Sequence, residues 1–413
     1  MRRSRRERRR ERATLRALTS SALALFGAAG RASADTAIDH IETSYSFSTY
    51  SEDKLESSKT LPGGERTRYE ISTQQASLAA PITDWFDMSM QLTHETMSGA
   101  SPWYNTQDAA GTPIQIMSGA TIQDTRNDLA LHGNYYTEQG RLGFGGGYST
   151  ENDYTAMNFG TDGELHFNEK NTTLSGGLGL SLDTLTPTDS DLYPLRPKEE
   201  SKQSYSTFVG LGQIINRRSL IQGSFSYKWD KGYLSDPYKE VFRIGDHHYG
   251  DDRGGSRHQF AFLVRYNRHI EETESTIHLS YQYYLDTWGV SSHMAELDWY
   301  QNFGDAIQIA PHVRYYSQTA ADFYIPYLRL KQIPQPGTRM SSDYRLSAYG
   351  ALSFGVKGEY AFHTPWFRDI EWRAHLSVER YLSSGDLSLS AVSVPAPGLV
   401  SFTVLSAGLA VVF

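Results

Sequence analysis

Apolar and polar residues alternate along most of this chain. Ile221, Phe225, Tyr227 and Trp229 share one parity, while Gln222, Ser224, Ser226 and Lys228 share the other. Ile277, Leu279, Tyr281 and Tyr283 alternate with His278, Ser280 and Gln282. Phe260, Phe262, Val264 and Tyr266 alternate with Arg257, Gln259 and Arg265, and Leu346, Leu352, Phe354 and Val356 with Arg345, Ser347 and Ser353. A period of two puts each set on its own face of a sheet. The segments run to about 10 residues, the length of a tilted strand that crosses a bilayer. About sixteen of them can be read, with fourteen or eighteen as the neighbouring counts.

The connections alternate as well. Short ones fall at Pro81 to Trp85, Glu138 to Arg141, Asn168 to Asn171, Ile215 to Arg218, His269 to Glu274, Asn302 to Ala306 and His363 to Phe367. Long ones fall at Glu52 to Thr67, Ser98 to Gln123, Leu185 to Gln203, Asp230 to Arg257, Ser317 to Ser342 and Ser383 to Gly398, with two brief links near Asn152 and Thr287. Short periplasmic turns and long external loops are the pattern of outer-membrane barrels. The last segment ends in Leu405, Ala407, Leu409, Val411 and Phe413 on one face. That ending resembles the C-terminal signal read by the outer-membrane assembly machinery, departing at Val411, where an aromatic is commoner. The fold class expected is therefore all-β: a transmembrane antiparallel up-and-down β-barrel whose last strand pairs with its first.

Composition sharpens this picture. Arg2 to Arg12 is densely basic, Ala22 to Ala29 is apolar, and Ala32-Ser33-Ala34 offers a cleavage site before Asp35. Residues 1–34 read as a cleaved signal peptide and 35–413 as one barrel domain. The leader carries +8 of a chain whose net charge is −8, which leaves −16 on the mature chain and argues against nucleic acid as a partner. There is no cysteine, so thiol and disulfide chemistry are excluded. No apolar stretch is long enough for a membrane helix, and a spanning protein without helices must close its sheet.

By parity Arg257, Arg265, Arg314, Arg345 and Arg373 point inward, as do Glu296, Asp298, Glu371, Glu379, His278, His312 and His375. An aqueous lumen hydrates such charges and lipid does not. They read either as a mixed-charge ladder that stiffens the wall or as a constriction that sorts solutes by charge. The loop from Asp230 to Arg257 holds His247, His248, Asp251 and Asp252, a candidate donor set whose spacing matches no closed metal motif. Asp251, Asp252 and His248 are also the residues a rim hydrolase would use. No cofactor and no catalytic residue is expected otherwise.

Four segments carry a family likeness: Ser98 to Pro102, Gly232 to Lys239, Tyr283 to Gly289 with His293, and Arg314 to Tyr324. Together they resemble a bacterial family catalogued as domain-of-unknown-function family 3570. The resemblance implies an exported outer-membrane protein with no settled activity, and its gene neighbourhoods imply a redox-linked envelope role. In this chain Asp251-Asp252-Arg253-Gly254-Gly255-Ser256 departs from the usual Pro-Asp pair. The segments all fall at the long-loop end, which gathers Ser101, Trp103, Asp236, Tyr238, Tyr284, Asp286, Trp288, Arg314, Tyr316 and Asp322 around one mouth as candidate ligand residues. The function expected is a solute channel or ligand-binding barrel of the Gram-negative outer membrane. Its partners are membrane lipid, the assembly machinery through Phe413, and a small solute. A plugged, partner-binding barrel and a rim hydrolase are the alternatives.

Overall fold

The computed structural model describes residues 37–118, 122–245, 247–366 and 370–413. The expected leader, and Phe367 in the last short connection, lie outside them. Twenty strands form: β1 (Glu42–Glu52), β2 (Glu70–Thr83), β3 (Phe86–Gly99), β4 (Pro102–Gln107), β5 (Pro113–Met117), β6 (Ile122–Thr137), β7 (Gly140–Thr150), β8 (Tyr154–Phe167), β9 (Thr172–Leu185), β10 (Glu200–Asn216), β11 (Ser219–Gly232), β12 (Glu240–Arg243), β13 (His247–Gly250), β14 (Ser256–Ile270), β15 (Ser275–Asp286), β16 (Ser291–Phe303), β17 (Ile307–Gln318), β18 (Tyr349–His363), β19 (Glu371–Ser384) and β20 (Phe402–Val412). Sixteen of them close a barrel in chain order, while β4–β5 and β12–β13 are separate hairpins within long loops. Closure is antiparallel between β20 and β1, running from Glu42 opposite Val412 to Glu52 opposite Phe402. The amide of the terminal Phe413 then donates to the carbonyl of Ile41 (2.9 Å). The expected barrel, its strand number and the pairing of its ends are all present.

The wall's apolar side faces outward. Leu78, Met90, Leu92, Leu131, Phe144, Leu178, Phe262, Val264 and Leu405 are exposed around the circumference. A water-soluble barrel would turn such residues inward, because exposed apolar patches beyond a few hundred Å² are rare on soluble monomers. Aromatic pairs mark the ends of this belt: Trp85 meets Tyr135 at the short-turn end, and Tyr205 stacks on Trp229 at the long-loop end. The three buried apolar clusters among the described residues lie at the long-loop end. They are Trp288, Val290, Ala321, Phe323 and Leu346; Leu55, Ala100 and Met117; and Val241, Leu328 and Met340.

One reading of parity needs correction. Arg345, Leu346 and Ser347 were expected to begin a strand, but β18 starts at Tyr349. Tyr344–Leu346 is instead a 3₁₀ turn, capped by Asp343, whose carboxylate accepts from the Arg345 amide. Leu346 is therefore not on the outward apolar face: it is buried against Trp288 and Phe323. The alternation Arg345, Leu346, Ser347 matches a strand over three residues, which is too short a stretch to tell a strand from a turn.

Candidate functional site

The long loops meet over the mouth. Numbering strands around the barrel, the β3–β6 loop joins the third and fourth, the β11–β14 loop the ninth and tenth, and the β17–β18 loop the thirteenth and fourteenth. Loops rooted that far apart touch only by crossing the opening. Asn105 Nδ2, from the first loop, donates to the Ser342 carbonyl of the third (3.1 Å). Lys239 Nζ, from the second, donates to the Pro102 carbonyl of the first (3.1 Å). Ser342 Oγ donates to the Glu240 carbonyl (2.8 Å). Backbone bridges between Asp252 and Met340 and between Arg243 and Leu328 extend the β12–β13 hairpin into the third loop. On the other side Arg68 Nη2 donates to the Gly398 carbonyl (3.1 Å), tying in the β1–β2 and β19–β20 loops.

At the centre of this cap three cations face three carboxylates. Arg253 spans Asp251 (2.6 Å) and Asp343 (2.9 Å). Arg345 pairs with Asp343 (2.5 Å) and Asp236 (3.1 Å). Lys239 is buried beside them. Burial alone would raise the Asp343 carboxyl, but the charges of Lys239, Arg345 and Arg253 overcome it and hold the group well below the usual carboxylate range. Burial pushes Asp251 up, against the pull of Arg253, and pushes Lys239 down, against Asp343 and Asp236. Arg345 is the member that reaches the space below: its side chain is 56% exposed and lines the chamber there.

Under the cap lies a chamber of about 240 Å³ lined by Arg257, Tyr284, Ser292, Tyr316, Gln318 and Arg345, among others. Gln318 Nε2 holds the 3₁₀ turn in place through the carbonyls of Arg345 (2.9 Å) and Ser347 (2.7 Å). Tyr284 Oη donates to Gln259 Oε1 (2.9 Å) and Asp286 Oδ2 (2.8 Å), and Arg257 Nε donates to that same carboxylate (2.9 Å). The Arg257 guanidinium also sits 4.1 Å above the Trp288 ring.

Deeper in the barrel the charge ladder is present. Arg314 pairs with Glu296 (3.0 Å) and approaches Glu379 (3.9 Å), which His312 also approaches (3.8 Å). Arg265 and Glu296 both register against Ser280, so they share a level, with Asp298 one step below. Arg373 pairs with Glu371 (2.7 Å) near the short-turn end. A second inward cluster went unnoticed in the sequence. Arg141 contacts Asn134, Asp162 and Glu164 (3.3 Å), and Asn134 donates to the buried Asp87 (2.8 Å). The same parity rule finds it, since Asp162 and Glu164 alternate with exposed Phe159 and Leu165.

Nine of the ten mouth candidates fall at the long-loop end, in separate settings, and the tenth is deeper. Tyr284, Tyr316 and, through its ion pair, Asp286 belong to the chamber, and Asp236 reaches it through Arg345. Arg314 lies in the ladder below. Trp288 and Asp322 are framework: Asp286 accepts from the Trp288 and Val290 amides (2.9 and 3.0 Å), and the Asp322 amide donates to the Trp288 carbonyl (2.8 Å). Ser101 holds its own loop, its amide donating to Ser118 Oγ (3.0 Å). Trp103 and Tyr238 sit on the cap away from the chamber, and Tyr238 Oη donates to Asp153. The candidate donor set is not gathered. His248 Nδ1 donates to Glu240 (2.6 Å), Asp251 is taken by Arg253, and Asp252 accepts from the Gly254 amide (2.9 Å). Among the described residues, Asp124, Glu151 and Asp153 instead bring three carboxylates within 4.8 Å of one another.

The model of the family described as "Protein of unknown function (DUF3570)" matches residues 15–390. No curated protein matches the chain. Among solved structures it is similar to a bacterial polysaccharide outer membrane secretin, at 9% identity over 90% of this chain and 97% of that chain, with a TM-score of 0.48. It is similar to the siderophore receptor PirA from Pseudomonas aeruginosa, at 9% identity over 91% and 81%, with a TM-score of 0.40. It is also similar to a deltaS2 mutant of the TodX monoaromatic hydrocarbon channel, at 11% identity over 90% and 89%, with a TM-score of 0.40. These are likenesses of barrel form and carry no argument about what this chain binds.

Proposed function

This chain belongs to the DUF3570 family of proteins of unknown function, and we propose that it is an outer-membrane barrel that binds a small polar solute at its external mouth and admits it when the loop cap opens. The observation that carries the reading is the combination of a charged lumen with loops that cross the opening from three sectors of the rim. The outward apolar belt supports a lipid surround. In that setting the long loops face outside and both chain ends face the periplasm, as expected of a chain exported by its leader and assembled through its terminal strand. The chamber beneath the cap presents two guanidinium groups and two phenols. A solute bearing a carboxylate or hydroxyl would compete with Asp343 and Asp236 for Arg345, so binding at the chamber would loosen the cap that covers it. No catalytic step is part of this reading.

The test is planar-bilayer conductance of the full exported chain beside a D343A variant. The intact protein is expected to be silent or rarely open, and the variant to show discrete ohmic steps. Equal, large conductance from both would show that the cap does not close the barrel. Silence from both, with the cap demonstrably loosened, would show that the lumen is blocked elsewhere.

A further inference from the structure

The outer side of the cap carries a second cavity, of about 290 Å³, lined by Trp103, Tyr193, Pro194, Leu195, Glu240 and His248. Three loops build it: Trp103 comes from β4, Tyr193 to Leu195 from the β9–β10 connection, and Glu240 and His248 from the β12–β13 hairpin. The walls are aromatic and set at fixed angles. Trp103 lies nearly parallel to His248 (28°, centroids 6.0 Å apart) and perpendicular to Tyr193 (90°, 6.4 Å). His248 is held from behind by the edges of Tyr104 (4.8 Å) and Phe242 (5.1 Å). Its Nδ1 donates to Glu240 (2.6 Å), which fixes the ring and makes this pair the polar side of the cavity lining.

We infer that this cavity binds a small hydroxylated aromatic ring, of the phenol or catechol class. Four of its six lining residues are apolar or aromatic, and the polar groups sit together on the Glu240–His248 side. A flat ring stacked parallel to Trp103 would stand perpendicular to Tyr193 and direct its hydroxyl to the Glu240 carboxylate. A pyranose carries hydroxyls around its whole rim, and most would face Pro194 and Leu195 unpaired, which costs affinity. An organic cation is disfavoured because the Tyr193 ring already carries one: the Arg196 guanidinium lies 3.9 Å from that ring and 4.9 Å from the ring of Tyr238, anchored by the Thr188 carbonyl (3.0 Å). The cavity is separate from the chamber under the cap, so this site does not require that the barrel conduct.

The experiment is calorimetric titration of the full exported barrel in detergent against catechol, with methyl glucoside and benzyltrimethylammonium as the sugar and cation arms and a micelle blank. Catechol is expected to saturate at one site per barrel, with the other two at least about tenfold weaker. Trp103→Ala should weaken catechol by about tenfold through loss of the stacking surface. Glu240→Gln should weaken it by roughly threefold to tenfold while keeping the His248 hydrogen bond. Leu195→Trp, which fills the cavity and removes no polar partner, should abolish binding. All three variants should keep a heat-modifiable folded band on a gel. No saturable heat above the blank, equal binding of the glucoside or the cation, or indifference to both Trp103→Ala and Leu195→Trp would each overturn the proposal. Loss on Trp103→Ala with none on Glu240→Gln would overturn the hydroxyl recognition. A conductance result of either kind would leave it standing.

Discussion

The same two residue types, arginine and carboxylate, are paired in two places with different consequences. In the lumen the Arg314 side chain is 38% exposed beside Glu296, and both remain in reach of water. In the cap Arg253 is 10% exposed and the side chains of Asp251 and Asp343 are fully buried. Exposed pairs contribute only about 0–1 kcal/mol. A buried pair gives little net stability, yet removing one partner costs roughly 3–5 kcal/mol because it strands the other charge. Lumen charges thus stay in contact with water, whereas cap charges fix which loop meets which. Under the proposed function the cap network is a latch and the ladder a lining.

Five measurements can break or sharpen that contrast, beginning with the largest effect. Asp343→Ala leaves Arg253, Arg345 and Lys239 without their common partner and should cost the cap about 3–5 kcal/mol. Hydrogen exchange at the Asp252 and Met340 amides, which bond to each other's carbonyls (2.9 and 2.8 Å), should then accelerate by at least about a hundredfold while the barrel melts as before. Unchanged exchange would mean the network latches nothing.

Leu346→Ala should cost about 2–4 kcal/mol, read as the same exchange, because Leu346 is packed with Trp288, Val290, Ala321 and Phe323. An effect as small as a surface truncation would show that the turn is not anchored there. Gly289→Ala should cost about 1–3 kcal/mol. Gly289 has φ +84°, and an added Cβ would lie 2.3 Å from the Asp322 carboxylate. A neutral outcome would require the β15–β16 link to shift freely.

Arg265→Gln with Arg314→Gln should change the melting behaviour by less than about 1 kcal/mol. In a barrel opened by Asp343→Ala the same pair should shift selectivity towards cations, seen as a reversal potential under a salt gradient. No shift would reduce the ladder to a stiffener. Arg345 is left out of that test because it belongs to the latch.

Mild acid should do the least. The Asp343 carboxyl is held below its ordinary value, so its stabilisation is present above about pH 4 and is lost only as pH falls through the lower folded value. Asp251, raised by burial, acts oppositely: acidification through its raised value favours the capped state. Cap exchange protection should therefore hold between neutrality and about pH 4. A cap that opened at pH 5 would contradict the assignment of Asp343 as the latch.

The wall was legible in the sequence because its rules are local. Period-two alternation assigns a face at each residue, and the strand count follows from the spacing of turns. The ladder residues Arg265, Arg314, Glu296 and Asp298 could be placed inward from parity alone, and Arg141 with Asp162 could have been. The cap was not legible, because its contacts join segments up to hundreds of positions apart, as Arg68 joins Gly398. Arg345 shows the limit: its neighbours alternate like a strand, and the competing hydrogen bonds accepted by Asp343 and donated by Gln318 make them a turn. The chain by itself determined a closed barrel with an apolar outer face and a charged lumen, since alternation and turn spacing admit few other arrangements. Tertiary structure alone decided that the loops cross the mouth, that Asp343 and Lys239 are buried together, and that Trp103 and Tyr193 frame a cavity, because those outcomes depend on which distant loops pack against one another.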